Sequence, residues 1–138
     1  MIRGIKAVFD TNVYISGIVY GGVPRDLLIL AEEQRFKLFI SVEILLEIVE
    51  KLRENFLWNE DKIELVIATV SKTATLVKTK RRLAVVKDDK SDNKIIECAY
   101  SSKAKLVVSG DKHLLRLRKV MGIEVVKPRD FYKTIVSL

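Results

Sequence analysis

Apolar and polar positions alternate between short runs and longer periodic stretches from one end of the chain to the other. Ile5-Lys6-Ala7-Val8-Phe9 reads as a strand that stops at Asp10-Thr11-Asn12. A short apolar segment, Val13–Val19, precedes the turn at Gly21-Gly22-Val23-Pro24, and Pro24 suits the first turn of a helix faced by Leu27, Leu28, Leu30 and Ala31. Lys37–Ile40 is a second strand, and Ser41 is placed to cap a helix running to about Asn55. A further helix covers Glu60–Ser71, and Thr73–Lys78 is an edge strand or an extended connection. Asp88–Asn93 is a polar loop leading into a helix from about Asp92 to Ser102. Leu106-Val107-Val108 has the continuous apolar character of a strand buried on both faces. Gly110-Asp111 ends it, a basic helix follows over His113–Lys119, Ile123–Val126 is the last strand, and Pro128 opens the last helix. Strands separated by helices predict an α/β protein, a three-layer α/β/α sandwich on a central, mainly parallel sheet. No repeat or linker interrupts the pattern, so a single domain over residues 1–138 is expected.

Composition narrows the classes of function. Hydrophobic residues at 49% and charged residues at 31% suit a globular protein, and the apolar runs are too short to cross a bilayer. Residues 1–9 show no signal-peptide pattern, and the single cysteine, Cys98, cannot form an internal disulfide; both suit the cytoplasm. Cys98 lies within Ile-Ile-Glu-Cys-Ala and is expected to pack as a small hydrophobe, because no histidine nearby is available to activate it. The net charge of +7 favours polyanionic partners, nucleic acid first. Against that background the acids gather at the ends of predicted strands.

In parallel α/β sheets ligands bind beyond the carboxyl ends of the strands. Asp10 and Asp111 stand where two strands hand over to the next element, as helix caps or turn formers on one reading and as groups facing a crevice on the other. Asp92 falls on the buried stripe of its helix with Ile95, Ile96 and Ala99. Asp88 and Asp89 lie outside that helix and are expected in solvent. On the helix after Ser41, the stripe Ile44, Leu45, Ile48 and Leu52 leaves Glu43 and Glu50 opposite it and Glu47 at its border. Clustered carboxylates repel unless protonated or bridged by a cation, and an all-oxygen acidic set selects hard ions such as Mg2+ or Mn2+.

Four segments in order carry a resemblance: Val-Phe-Asp10-Thr11-Asn12-Val, Ser41-x5-Glu47-Ile, Asp89-x2-Asp92-Asn93-x-Ile95-Ile96-x2-Ala99, and Val-Val-Ser109-Gly110-Asp111-Lys-x-Leu-Leu. Together they resemble PIN-domain nucleases, in particular the VapC-like toxins of toxin–antitoxin pairs. With the closing Lys127-Pro128-Arg129-Asp130-Phe131, the likeness spans essentially the whole chain. The resemblance implies Mg2+- or Mn2+-dependent endonucleolytic cleavage of single-stranded RNA, a small antitoxin as partner, and often a homodimer. It carries the acidic quartet over to Asp10, Glu47, Asp92 and Asp111 as catalytic residues and metal ligands, with Thr11 and Asn12 in support. His113 stands where many relatives carry an acid, which leaves a fifth ligand and a second metal in question.

Of two basic clusters, Lys78, Lys80, Arg81 and Arg82 read first as a solvated face or loop, whereas Arg116, Arg118 and Lys119, nearer a proposed ligand, are the candidates for phosphate contact. Phe56 and Trp58 are placed to stack on bases, to anchor a helical hairpin or to form a dimer contact. Ile63, Val66, Ile67 and Val70 recur at helical spacing and either pack on the sheet or form a dimer contact. The competing functional class is a nucleic-acid-binding or regulatory PIN-like module with weak or no cleavage. An aspartyl phosphatase needs a second Asp two residues after the first, where this chain has Asn12, and a receiver domain needs an acidic pair where Phe9 precedes Asp10.

Overall fold

The computed structural model describes residues 4–79 and 90–138. The chain order is β1 (Lys6–Phe9), α1 (Thr11–Ile15), a π-helical turn (Ser16–Tyr20), α2 (Gly22–Glu32), β2 (Lys37–Ser41), α3 (Val42–Glu54), α4 (Glu60–Thr73), β3 (Thr75–Val77), α5 (Lys90–Ser102), β4 (Leu106–Val108), α6 (Lys112–Leu117), β5 (Lys119–Val120), β6 (Ile123–Val126) and α7 (Pro128–Val136). The strands form one sheet in the order β3-β2-β1-β4-β6-β5, parallel except for β5. In register, Val8 lies between Phe39 and Val107, and Phe9 pairs with Val108. This is the expected α/β/α sandwich with a mainly parallel sheet.

The middle strands are apolar because both faces are covered. Ala7, Val8, Phe9, Val107 and Val108 are fully buried. Helix α5 packs across β1, β2 and β4 through Ile95, Ile96, Cys98 and Ala99. Phe9 meets Tyr14, Phe36 and Phe131, and the Phe36 and Phe131 rings stand edge to face with centroids 4.9 Å apart. Burial pushes the Cys98 thiol up to about 12, so it is the inert packing residue its neighbours predict.

Several boundaries differ from the sequence reading. The Val13–Val19 segment is helical, α1 passing into the π-helical turn, which Arg25 holds by donating to the carbonyls of Gly17 (2.8 Å) and Ile18 (3.1 Å). A Cβ at Gly17 would come within 3.0 Å of the Pro24 and Arg25 backbone, so α2 approaches this turn only because the residue is glycine. Helix α2 starts at Gly22, two residues ahead of Pro24, and α5 starts at Lys90, two ahead of Asp92. Thr75–Val77 is the edge strand, pairing in parallel with β2.

The basic helix is shorter than its composition suggests. It ends at Leu117; Arg118 caps it in the left-handed region (φ 55°), and Lys119–Val120 turn back as β5. Met121 (φ 53°) and Gly122 (φ 78°) supply the paired positive φ values of a tight hairpin turn, and that turn pulls Lys119 out of the helix into an antiparallel pair with Glu124.

In the α3–α4 hairpin, Trp58 carries the Lys62 ammonium over its ring at 4.4 Å, and Phe56 meets Tyr20, so these aromatics anchor helices. Ile63 and Val70 are buried in the core while Val66 and Ile67 are partly buried, so the α4 stripe packs mainly inward. Among the described residues no single helix is long and apolar enough to cross a membrane.

Candidate active site

Strands β1 and β4 are neighbours, yet the chain proceeds from β1 outward to β2 and from β4 outward to β6. The gap between them is therefore the point where strand order reverses, the place where an open parallel sheet leaves a crevice beyond its carboxyl ends. Asp10 directly follows β1, and Asp111 follows β4 by three residues. The topology delivers both acids to that crevice.

Asp10 occupies the N-cap position of α1 but makes no side-chain cap hydrogen bond. Its carboxylate, 7% exposed, instead accepts the Ser109 hydroxyl at 2.7 Å. Ser109 is fully buried, and its Oγ in turn accepts the Asp111 backbone N–H at 3.0 Å. One hydroxyl thus ties the two acid-bearing strands together. Asp111 does cap its helix: Oδ1 accepts the N–H groups of His113 (2.7 Å) and Leu114 (3.2 Å). The capping and crevice readings, alternatives in the sequence, hold together for Asp111.

Burial pushes the Asp10 carboxyl above its ordinary range, and the nearby charge of Asp111 adds to the rise. The Ser109 hydroxyl, the Asn12 amide and the Lys51 ammonium oppose it without cancelling it. Asp92, 5% exposed, sits in the first turn of α5. Because a crossover helix runs back against the strands it connects, that first turn lies toward the carboxyl edge of the sheet. Glu47 is partly buried on α3, one helical turn before Lys51, whose Nζ donates to Asn12 Oδ1 at 2.9 Å. Helix α3 also packs on α1, the helix that follows Asp10.

From the sequence, all four acids are expected at one end of the sheet, close enough to share an ion. Asp10 and Asp111 are joined through Ser109, with Asp92 and Glu47 on flanking helices. Among the described residues no three Asp, Glu, His or Cys side chains are grouped as a ready ligand set. One Asp111 oxygen is committed to its helix. The oxygen chemistry still fits a hard divalent ion. A buried carboxylate lies beside Asp111, and the buried Thr11 Oγ1 has no hydrogen-bond partner among the described residues.

A cleft of about 520 Å³ is lined by Asn12, Pro24, Gly110, Asp111, His113 and Pro128. His113 is exposed there and is a groove residue. Arg116, Arg118 and Lys119 are all exposed; Asp88, Asp89, Lys80, Arg81 and Arg82 lie outside the described residues. Glu43, expected in solvent, is partly buried and accepts the Thr79 hydroxyl at 2.8 Å.

Sequence reasoning missed Ser109 and Lys51. The signals were present: a polar residue closing an all-apolar strand two positions before an acid, and a lysine one turn after Glu47. Ser109→Ala removes a hydrogen bond from a buried carboxylate and another from the Asp111 amide. It is expected to cost about 1–3 kcal/mol of stability, measurable by urea unfolding.

These features define an α/β protein with an acid-bearing crevice at the strand-order reversal. The chain matches the PIN domain family over residues 6–113 and belongs to that family. PIN domains are typically nucleases, and such nucleases generally use divalent metals. An uncharacterized protein of Methanocaldococcus jannaschii, MJ1680, is 37% identical over 141 residues, covering 92% of this chain and 89% of its own. The fold is similar to PAE2754 from Pyrobaculum aerophilum (TM-score 0.64, 14% identity, 97% of this chain and 91% of that one). It is also similar to a chain of VapBC2 from Rickettsia felis bound to a DNA fragment from their promoter (TM-score 0.60, 13% identity, 89% and 98%).

Proposed function

We propose that this protein is a divalent-metal-dependent endoribonuclease acting on single-stranded RNA, the toxin partner of a small antitoxin protein. The observation that carries the reading is the Asp10–Ser109–Asp111 bridge at the strand-order reversal, in a PIN-family chain of net charge +7. Asp10 and Asp111, with Asp92 and Glu47, would hold Mg2+ or Mn2+, and Thr11 and Asn12 would support the Asp10 loop. When bound, the ion supplies polarisation of the phosphodiester and activation of water. The antitoxin rests on the structural likeness to VapBC2 and on the sequence resemblance. The test is cleavage of a labelled single-stranded RNA with Mn2+ or Mg2+ and with chelator. No metal-dependent cleavage under any of these conditions sinks the proposal.

A binding module without cleavage is the second reading, favoured by the cap role of Asp111 and by the absence of a grouped triad among the described residues. RNA binding without any cut product supports it.

Arg116, Arg118 and Lys119 are proposed to bind phosphates even though they do not share one helix. Replacing all three with Ala is expected to flatten the dependence of RNA affinity on salt, by about 0.7 in log–log slope for each phosphate no longer neutralised. An unchanged slope places the strand elsewhere on the surface.

A further inference from the structure

Lys51 has no place in the acidic quartet or in the basic clusters, yet its ammonium stands at the site. Its hydrogen bond to Asn12 Oδ1 uses one of three N–H donors. Asn12 also lines the cleft shared with Asp111 and His113, so the ammonium is hydrogen-bonded to a residue of the cleft wall. An exposed lysine–amide hydrogen bond contributes little to stability, so holding the fold together is a poor explanation for pinning a long side chain here. The electrostatics give a better one. A phosphodiester approaching Asp10 and Asp111 meets like charge, and a nearby cation held by Asn12 offsets that repulsion. The charge of Lys51 acts on Asp10 in the direction that favours its ionised form.

We propose that Lys51, oriented by Asn12, contacts a non-bridging oxygen of the phosphodiester presented to Asp10 and Asp111. The proposal rests on the nuclease reading and adds a substrate contact that the acidic quartet lacks.

The test pairs binding with turnover. In an Asp10→Asn background, which prevents cutting, Lys51→Gln is expected to weaken binding of a short labelled single-stranded RNA roughly tenfold. It should also lower the log–log salt slope by about 0.7. Lys51→Arg should restore most of both, and the melting temperature should not move. In the otherwise native chain, Lys51→Gln should slow metal-dependent cleavage and Lys51→Arg should recover it. An unchanged affinity and slope overturns the proposal, as does an equal loss in both variants with a lowered melting temperature, the mark of a structural role. If native protein cuts no RNA with Mn2+ or Mg2+, the nuclease reading fails, while the binding series still decides whether Lys51 holds a phosphate.

Discussion

Asp10→Asn should reduce cleavage by about three orders of magnitude while making the protein more stable at neutral pH. The two effects share a cause. Asp10 is nearly buried and close to Asp111, so its ionised form is disfavoured in the folded chain and its carboxyl stays above the ordinary value of 3.8. In the pH window above that value the folded state holds more protons than the unfolded state, and stability falls as pH rises. Asparagine keeps the shape and still accepts the Ser109 hydroxyl, but it carries no charge to bury. The variant's advantage should therefore be full once pH exceeds the folded value and should vanish below the unfolded one. Chemical denaturation across pH measures this directly. A variant less stable than the parent at neutral pH contradicts the burial argument, and one that still cuts RNA contradicts the site assignment.

The acids are legible in the sequence for a reason that does not extend to their partners. Asp10 and Asp111 interrupt apolar strands, and a parallel sheet sends whatever follows its inner strands to one crevice. Asp92 announces itself by falling on a buried helical stripe. Ser109 does not, because a serine after a strand is ordinary; its role appears only when β1 and β4 are seen side by side, 99 residues apart along the chain. Lys51 depends likewise on α3 packing against α1. The helix over Lys112–Leu117 reads too long in the sequence because Arg118 and Lys119 suit helices by propensity, whereas the Met121-Gly122 turn overrules that preference locally. Glu43 is misplaced by a helical wheel, which knows one helix and not the Thr79 segment facing it.

The ends left by cleavage offer the sharpest test of the chemistry. Metal-free ribonucleases commonly use the ribose 2′-hydroxyl as nucleophile, assisted by paired acid–base groups of the histidine type, and leave a cyclic phosphate. This chain has one histidine, His113, and it is exposed at the cleft, so a histidine pair within one subunit cannot be assembled. The groups the crevice does offer are carboxylates. Asp10 accepts a hydroxyl and Asp111 stands beside it, an oxygen set suited to holding a cation and orienting water. Water attacking phosphorus in line with the P–O3′ bond, which breaks as the 3′-oxygen leaves and takes a proton, gives a 5′-phosphate and a 3′-hydroxyl and has no chemical need for the 2′-hydroxyl. Discrimination against DNA then has to come from how the cleft reads the sugar and the path of the strand. Cleavage is expected to stop in excess chelator and to return when Mn2+ or Mg2+ is restored. Products should be ligatable at their 5′-phosphates without prior phosphorylation. A 2′,3′-cyclic phosphate, or undiminished cutting in chelator, would overturn this chemistry and move attention from the Asp10–Asp111 pair to His113.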